Sequence, residues 1–124
     1  MTRTPGPREV VERYLRLVAA RRWADLPPLY AQDALVEHPL DPHAAPLHGR
    51  APLRAHFAHL EALGLQMTAT NAVFHEAGDT VVAEFTYHGV TGDGDPIARR
   101  CVHVTTVRGG LIVTSRDYQA SIAP

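Results

Sequence analysis

The spacing of the apolar residues changes once along the chain, near Gln66, from a helical repeat to a strand-like one. Before this point apolar residues recur at intervals of three and four, and after it polar and apolar residues alternate. Four strand-like runs, separated by turns that contain Gly or Asp, occupy 67–76, 80–90, 97–107 and 111–118. Helices followed by hairpin-linked strands indicate an α+β domain, in which helices pack on one face of a curved antiparallel or mixed sheet.

Three N-terminal helices are predicted to pack on this sheet. The first is an amphipathic helix of about four turns, with apolar residues from 10 to 18 on one stripe. The second is a short helical segment over 23–30, and the third begins at Pro52, a residue suited to the first turn of a helix. A brief strand over 34–39 and a loop over 40–49 are expected between the last two helices.

The length and charge of the chain narrow the classes of protein to consider. Its 124 residues fit one domain over 1–124, with 1–6 as a disordered lead. The net charge is -1, and no basic stripe is suited to nucleic acid. No run reaches the ~18 apolar residues that span a bilayer, so we expect no membrane association. The single Cys101 forms no internal disulfide, which favours the cytoplasm.

Six short segments together resemble one superfamily: Val11 to Tyr14, Leu29 to Ala34, Val36 to Pro39, His48 to Arg50, Gly110 to Ile112 and Ser115 to Tyr118. They are similar to the nuclear transport factor 2-like proteins, which include ketosteroid isomerases, SnoaL-like polyketide cyclases, limonene epoxide hydrolases and scytalone dehydratase. The resemblance covers nearly the whole chain. It implies a cone-shaped α+β barrel with a deep apolar cavity, and the cavity is where function would reside.

The resemblance also implies candidate catalytic residues. Tyr14 lies where ketosteroid isomerases have an oxyanion-hole tyrosine, and His38 lies where they have the general-base aspartate. His103 occupies the position of their protonated aspartic acid, the second donor to the oxyanion. Asp117 matches a catalytic aspartate of the limonene epoxide hydrolases, and SnoaL-like members commonly have an acid on the last strand.

Strand alternation gives a separate indication of which side chains face the cavity. Phe85 and Tyr87 belong to the apolar row of their strand and are predicted to face inward. Alternation does not choose a face for His103, which only the resemblance places inside. Asp117 faces inward if Leu111 and Val113 do. An inward Asp117 beside an inward His103 would form a carboxylate–imidazole pair that acts as a general base near neutral pH.

These residues predict a cofactor-independent acid/base enzyme of isomerase, cyclase or dehydratase type, acting on a small hydrophobic or polycyclic carbonyl compound. His103 or His38 would be the base, Tyr14 the oxyanion donor, and Asp117 would orient the base or share the proton. Predicted substrate-binding residues are Trp23, Phe57, Phe74, Phe85, Tyr87 and Arg99. The alternative is a non-catalytic protein of the same fold that binds a hydrophobic small molecule or serves as a dimerisation module.

Two further expectations concern metals and partners. His43, His48, His56 and His59 invite a metal hypothesis, but His56 and His59 flank the buried row of their helix and no acidic second shell is evident, so no metal or organic cofactor is predicted. A homodimer through the outer face of the sheet is expected, because relatives usually cover this face with a second subunit. Its available apolar residues are Val82, Val102 and Val104.

Overall fold

The computed structural model describes residues 3–122 and has a mixed α+β architecture. Helix α1 (Pro7–Ala19) precedes the sheet, and helix α2 (Arg50–Ala62) lies between its second and third strands. The six strands are β1 (Tyr30–Glu37), β2 (Leu47–His48), β3 (Gln66–Ala77), β4 (Thr80–Val90), β5 (Pro96–Arg108) and β6 (Leu111–Ser121). Their spatial order is β2-β1-β6-β5-β4-β3, with β1 parallel to β6 and every other pair antiparallel. The sheet is therefore mixed.

Local signals at its N-terminus explain where α1 begins. Pro7 occupies the first turn, and the Glu9 carboxylate accepts a hydrogen bond of 3.3 Å from the Gly6 backbone N–H. Arg3 donates two hydrogen bonds to Glu9, at 2.6 and 2.9 Å, so part of the predicted disordered lead makes defined contacts. Residues 1–2 of that lead lie outside the described residues. Within residues 3–122, neither helix is long and apolar enough to cross a membrane.

The second predicted helix is replaced by two single 3₁₀ turns, Trp23–Asp25 and Pro27–Leu29. The adjacent residues Pro27 and Pro28 lack backbone N–H groups, so an α-helix through them would lose hydrogen bonds. The prediction of three N-terminal helices is therefore not confirmed. The predicted loop over 40–49 is also corrected, because it contains β2, whose His48 pairs with Leu35 of β1.

The burial pattern identifies the inner face of the sheet. Phe85 and Tyr87 are buried on β4 as predicted, and on β5 the buried row contains His103, which alternation had left undecided. On β6, Ser115 and Asp117 are buried together with Ile112, whereas Leu111 and Val113 are only partly buried. A register shift between β5 and β6 at Thr106/Val107 changes which residues face inward along β6. Asp117 therefore faces inward although Leu111 and Val113, on which its predicted orientation depended, are only partly buried.

Irregularities in β3 and close strand contacts shape the sheet. The pairing of β3 with β4 shifts between Thr70 and Val73, and Asn71 there adopts a left-handed φ of 56°. Near the other end of this pair, a Cβ at Gly89 would overlap the carbonyl oxygen of Gln66. Only glycine permits this close approach of the two backbones, so the pairing of β3 with β4 at this end requires a glycine at position 89.

We predict that α2 is held mainly by the burial of Leu53, which has no exposed surface. Leu53→Ala should lower the free energy of unfolding by about 2–5 kcal/mol, because it removes buried apolar contacts and leaves a cavity. Urea denaturation measures this change. The matched control is Leu63→Ala immediately after α2, where the side chain is 48% exposed and little change is expected. Equal effects of the two substitutions would contradict this role for Leu53.

Candidate active site

A cavity of about 650 Å³, open on one side, is lined by both helices, β1 and the inner face of the sheet. Aromatic side chains cover much of its wall, namely Tyr14, Trp23, Tyr30, Phe57 and Tyr87. Its polar lining includes His38, His56, Arg99, Asp117 and Gln119. A mainly apolar cavity of this size with a few convergent polar groups is typical of small-molecule sites.

Asp117, on the inner face of β6, is the buried acid of the site and is 6% exposed. Its Oδ1 accepts a hydrogen bond of 2.6 Å from the Ser115 hydroxyl and lies 3.5 Å from Nδ1 of His103. Its Oδ2 lies 4.0 Å from Nε2 of His38. One carboxylate oxygen is therefore engaged by the protein interior, while the other faces His38, which also lines the cavity.

His103 lies beside Asp117 but not on the wall of the large cavity; it borders a narrow crevice with Tyr14, Ser115 and Asp117. The side-chain nitrogen of Gln119 is 3.1 Å from its Nε2. An amide nitrogen can only donate, so Nε2 accepts and the ring proton resides on Nδ1, facing Asp117. Burial lowers the pKa of His103, an effect that the nearby Asp117 carboxylate partly offsets and His38 reinforces.

His38, immediately after β1, is more accessible than His103, with 23% of its side chain exposed. Its ring lies 5.6 Å from the ring of His56 on α2, which in turn contacts Phe57 at a centroid distance of 5.3 Å. Burial lowers the pKa of His56, and the neighbouring His38 lowers it further. A neutral His56 can pack against His38 without repelling a positive charge there.

Three tyrosine phenols line the cavity, from α1, β1 and β4. Burial raises the pKa of Tyr14, the Asp117 carboxylate raises it further, and the Tyr87 hydroxyl offsets part of this rise. Burial also raises the pKa values of Tyr30 and Tyr87 well above 10, with additional contributions from Tyr14 and Asp117. All three are therefore neutral phenols near pH 7, which can donate hydrogen bonds to a ligand.

The structure separates the predicted substrate-binding residues into two groups. Trp23, Phe57 and Tyr87 line the cavity, and Arg99 lines it while remaining exposed. Phe85 is instead buried against the His103 ring, with 4.9 Å between the two ring centroids. The Arg8 guanidinium lies over Phe74, and its Cζ is 4.8 Å from the centroid of the Phe74 ring. Neither phenylalanine is part of the cavity wall formed by residues 3–122, because β3 and β4 direct them toward packing contacts.

Sequence analysis missed four residues of the site, Tyr30, His56, Ser115 and Gln119. The last two share the inward row of β6 with Asp117, so alternation around that acid could have found them. The sequence suggests only a metal-ligand role for His56. Tyr30 was missed because the helix wrongly predicted over 23–30 includes it, whereas in the structure it is the buried first residue of β1.

The histidines considered as metal ligands and the single cysteine occupy different parts of the structure. Within residues 3–122, no group of three or more His, Cys, Asp or Glu side chains converges as a metal site would require. His43, His56 and His59 line the cavity, whereas His48 lies on β2. Burial raises the pKa of the Cys101 thiol to about 11, which is unfavourable for a nucleophile at neutral pH.

Comparison with protein families identifies the fold. Residues 11–115 match the family model described as a SnoaL-like domain. The chain belongs to the SnoaL-like domain family. This agrees with the cavity and with the inward acid on the last strand, both of which the sequence resemblance led us to expect. A search of curated proteins found no significant match.

Solved structures share the SnoaL-like fold over most of the chain. A candidate isomerase from Bacillus subtilis has a TM-score of 0.85 at 22% identity, covering 92% of this chain and 86% of that one. A candidate polyketide cyclase from Pseudomonas putida has a TM-score of 0.80 at 18% identity, with coverages of 92% and 91%. A hypothetical protein with a ketosteroid isomerase-like fold from Catenulispora acidiphila, in complex with trimethylamine, has a TM-score of 0.74 at 25% identity, with coverages of 92% and 86%.

We predict that the His103 ring stays neutral at pH values where a free imidazole, with a pKa of about 6.5, is half protonated. Below that pH the unfolded chain binds a proton at position 103 that the folded chain does not. This residue therefore makes the free energy of unfolding fall as the pH decreases through the unfolded pKa, until the folded ring is also protonated. In His103→Gln this contribution should be absent, as denaturation at pH 7.5 and 5.5 would reveal.

Nitrogen NMR of the ring tests the same prediction directly. We expect the Nδ1–H tautomer in the folded protein, with His103→Gln used to assign the signal. A ring that titrates at or above pH 6.5, or that carries its proton on Nε2, would contradict the arrangement between Asp117 and Gln119.

Proposed function

We propose that this SnoaL-like protein is an isomerase- or cyclase-type enzyme that moves a proton within a small hydrophobic carbonyl compound. The observation that carries the proposal is the pairing of His38 Nε2 with Asp117 Oδ2, 4.0 Å apart, on the wall of a cavity that also contains Tyr14. Solved structures of the same fold, named as a candidate isomerase and a candidate polyketide cyclase, support this reaction class. The aromatic lining and the volume of about 650 Å³ support a small apolar substrate.

In the proposed reaction, His38 is the general base. With Nε2–H directed to Asp117 Oδ2, its Nδ1 takes a proton from the carbon next to the carbonyl, the C–H electron pair forms a carbon–carbon double bond, and the carbonyl π pair moves to oxygen. Tyr14 donates a hydrogen bond to that oxygen, and the Asp117 carboxylate stabilises the imidazolium. Return of the proton to another atom of the same molecule completes an isomerisation with no change in composition.

His103 is assigned a positioning role rather than the role of base. Its Nε2 is occupied by Gln119, and its Nδ1 faces Asp117 Oδ1 at 3.5 Å. No lone pair of this ring is free for a substrate in the cavity. Together with Ser115, it instead orients the carboxylate so that Oδ2 faces His38.

Hydrogen–deuterium exchange tests the proposed function without knowledge of the natural substrate. We expect the protein to accelerate loss of α-proton NMR signals for some members of a panel of cyclic ketones and enones in D₂O. Asp117→Asn and His38→Gln should each slow this exchange by about 100- to 10,000-fold, because each removes one member of the proton-transfer pair. Asp93→Asn, the same change in the exposed β4–β5 turn, is the matched control and should have no effect.

Two results would count against the enzyme. Exchange that survives both substitutions would mean that another group moves the proton. Binding of panel members to the wild-type protein without any exchange would favour a non-catalytic ligand-binding protein.

We also propose that two copies of the chain pair through the outer face of the sheet. Val82, Val102 and Val104 are only partly buried there, and Val73 on the neighbouring strand is 51% exposed. These residues give the outer face an apolar surface that a second copy could cover.

Sedimentation velocity should therefore give a dimer for the wild-type protein and a monomer for the double variant Val73→Asp/Val102→Asp, because two buried carboxylates would face the partner. Leu63→Asp, on an equally exposed leucine after α2, should leave the dimer intact. A wild-type monomer at micromolar concentration would exclude this pairing.

A further inference from the structure

One arginine interrupts the buried row on the inner face of β5. Six residues of this strand alternate inward, and five of them are buried: Ile97, Cys101, His103, Thr105 and Val107. The sixth, Arg99, is exposed. The pairing of β4 with β5 has no register shift, so Arg99 lies on the same face as the buried residues of its row. Because it also lines the cavity, its side chain lies where the cavity meets solvent.

Arg99 supplies a permanent positive charge to the cavity wall. Within residues 3–122, no other arginine lines this cavity. Elsewhere in the structure arginines pair with carboxylates within 4.0 Å, namely Arg3, Arg8, Arg22 and Arg108. No carboxylate of the described residues lies within that distance of Arg99, although Asp41 and Asp117 line the same cavity. An acidic group of a ligand would therefore meet a cation that these two acids do not neutralise.

The side chain of Gln119 holds this cation toward the buried acid. The Arg99 Nη1 donates a hydrogen bond of 3.5 Å to Oε1 of Gln119, whose side-chain nitrogen lies 3.1 Å from Nε2 of His103. A guanidinium can only donate, so the amide oxygen faces Arg99 and the amide nitrogen faces His103. The charge also acts on the interior: burial raises the pKa of the Cys101 thiol, and Arg99 opposes part of this rise.

The remaining donors of this guanidinium suit a carboxylate. A guanidinium has five N–H groups in a planar fork, and Gln119 accepts from one nitrogen only. Two parallel N–H groups match the two oxygens of a carboxylate, which forms a stronger pair than a neutral acceptor does. A carboxylate also carries the single negative charge that one arginine neutralises, whereas a phosphate dianion would leave one charge unpaired beside a mainly apolar wall.

We propose that Arg99 binds a carboxylate of the substrate, so that the substrate is a carbonyl compound with an acidic group at its far end. The inference rests on the proposed function and adds a substrate class to it. Gln119 lies between the guanidinium and His103, so the acidic group is separated from the reacting carbon by at least the width of that amide. The apolar frame between the two groups would contact Trp23 and Phe57.

Binding of a matched acid and amide tests this assignment. The probe is 4-acetylbenzoate, which carries a ketone and a carboxylate at opposite ends of one ring, and 4-acetylbenzamide is its neutral analogue. Calorimetry should show tighter binding of the acid to the wild-type protein. Arg99→Gln should weaken acid binding by about three- to thirty-fold, the loss of a partly solvated ion pair, and should not affect amide binding. Raising the salt concentration should weaken only acid binding.

The neighbouring arginine offers a matched control. Arg100 is also exposed but lines the groove on the outer face of the sheet, so Arg100→Gln should change the affinity for neither compound. Because Arg99 is exposed, Arg99→Gln should leave the Tm unchanged. Equal affinity of the wild-type protein for acid and amide, no binding of the acid, or an equal loss in Arg100→Gln would overturn the inference.

Kinetics separate an anchoring role from a role in the chemistry. For exchange of the acetyl protons of 4-acetylbenzoate in D₂O, Arg99→Gln should raise KM by the same three- to thirty-fold and leave kcat unchanged, because the carboxylate is bound alike in substrate and transition state. With 2-acetylbenzoate, whose acid adjoins the ketone, the substitution should have no effect. A fall in kcat with unchanged KM would contradict anchoring of the carboxylate.

The two proposals fail in different ways. Binding of 4-acetylbenzoate that depends on Arg99, without proton exchange in any compound, would retain the carboxylate site and reject the enzyme. Exchange that depends on His38 and Asp117 but is unaffected by Arg99→Gln, with acid and amide bound equally, would retain the enzyme and reject the carboxylate site.

Discussion

The arrangement of the site depends on how the protein stabilises one buried carboxylate. Removing Asp117 from water is costly unless hydrogen bonds and opposite charges compensate for the lost hydration. The compensation comes from a chain of side chains across β5 and β6: Thr105 contacts Ser115 at 3.2 Å, and Ser115 donates to Asp117. Since the Ser115 proton points to the carboxylate, the Thr105 hydroxyl must donate to Ser115. Neighbouring inward side chains thus fix the orientation of the acid.

This chain of contacts gives the two carboxylate oxygens different tasks. Oδ1 is held by Ser115 and faces His103, whereas Oδ2 faces His38 and the cavity. If both carboxylate oxygens accepted hydrogen bonds from the protein interior, neither would be left to face His38. The same division explains why two histidines at similar distances from one acid differ in availability: one is enclosed by the sheet, and the other follows β1 at the cavity wall.

Much of the fold could be predicted from sequence because it depends on local periodicity. The change in repeat near Gln66 located all four long strands, and alternation placed Phe85 and Tyr87 on the inner face. Alternation could not reveal the register shift at Thr106/Val107, since a bulge depends on pairing between strands. The sequence could not choose a face for His103 for a different reason, because both alternating rows of β5 contain polar and apolar residues. The Trp23 to Tyr30 error had a different cause, because the apolar spacing suited a helix while two prolines removed its hydrogen bonds.

The site itself was only partly predictable, because a residue type does not reveal which of its atoms remain free. A protonated carboxylic acid at position 103 would have a single O–H group, which it could donate to a ligand. A neutral imidazole has one N–H donor and one acceptor nitrogen, and both need partners when the ring is buried. Here Gln119 contacts one nitrogen at 3.1 Å and Asp117 lies 3.5 Å from the other, so both face protein groups and neither faces the large cavity.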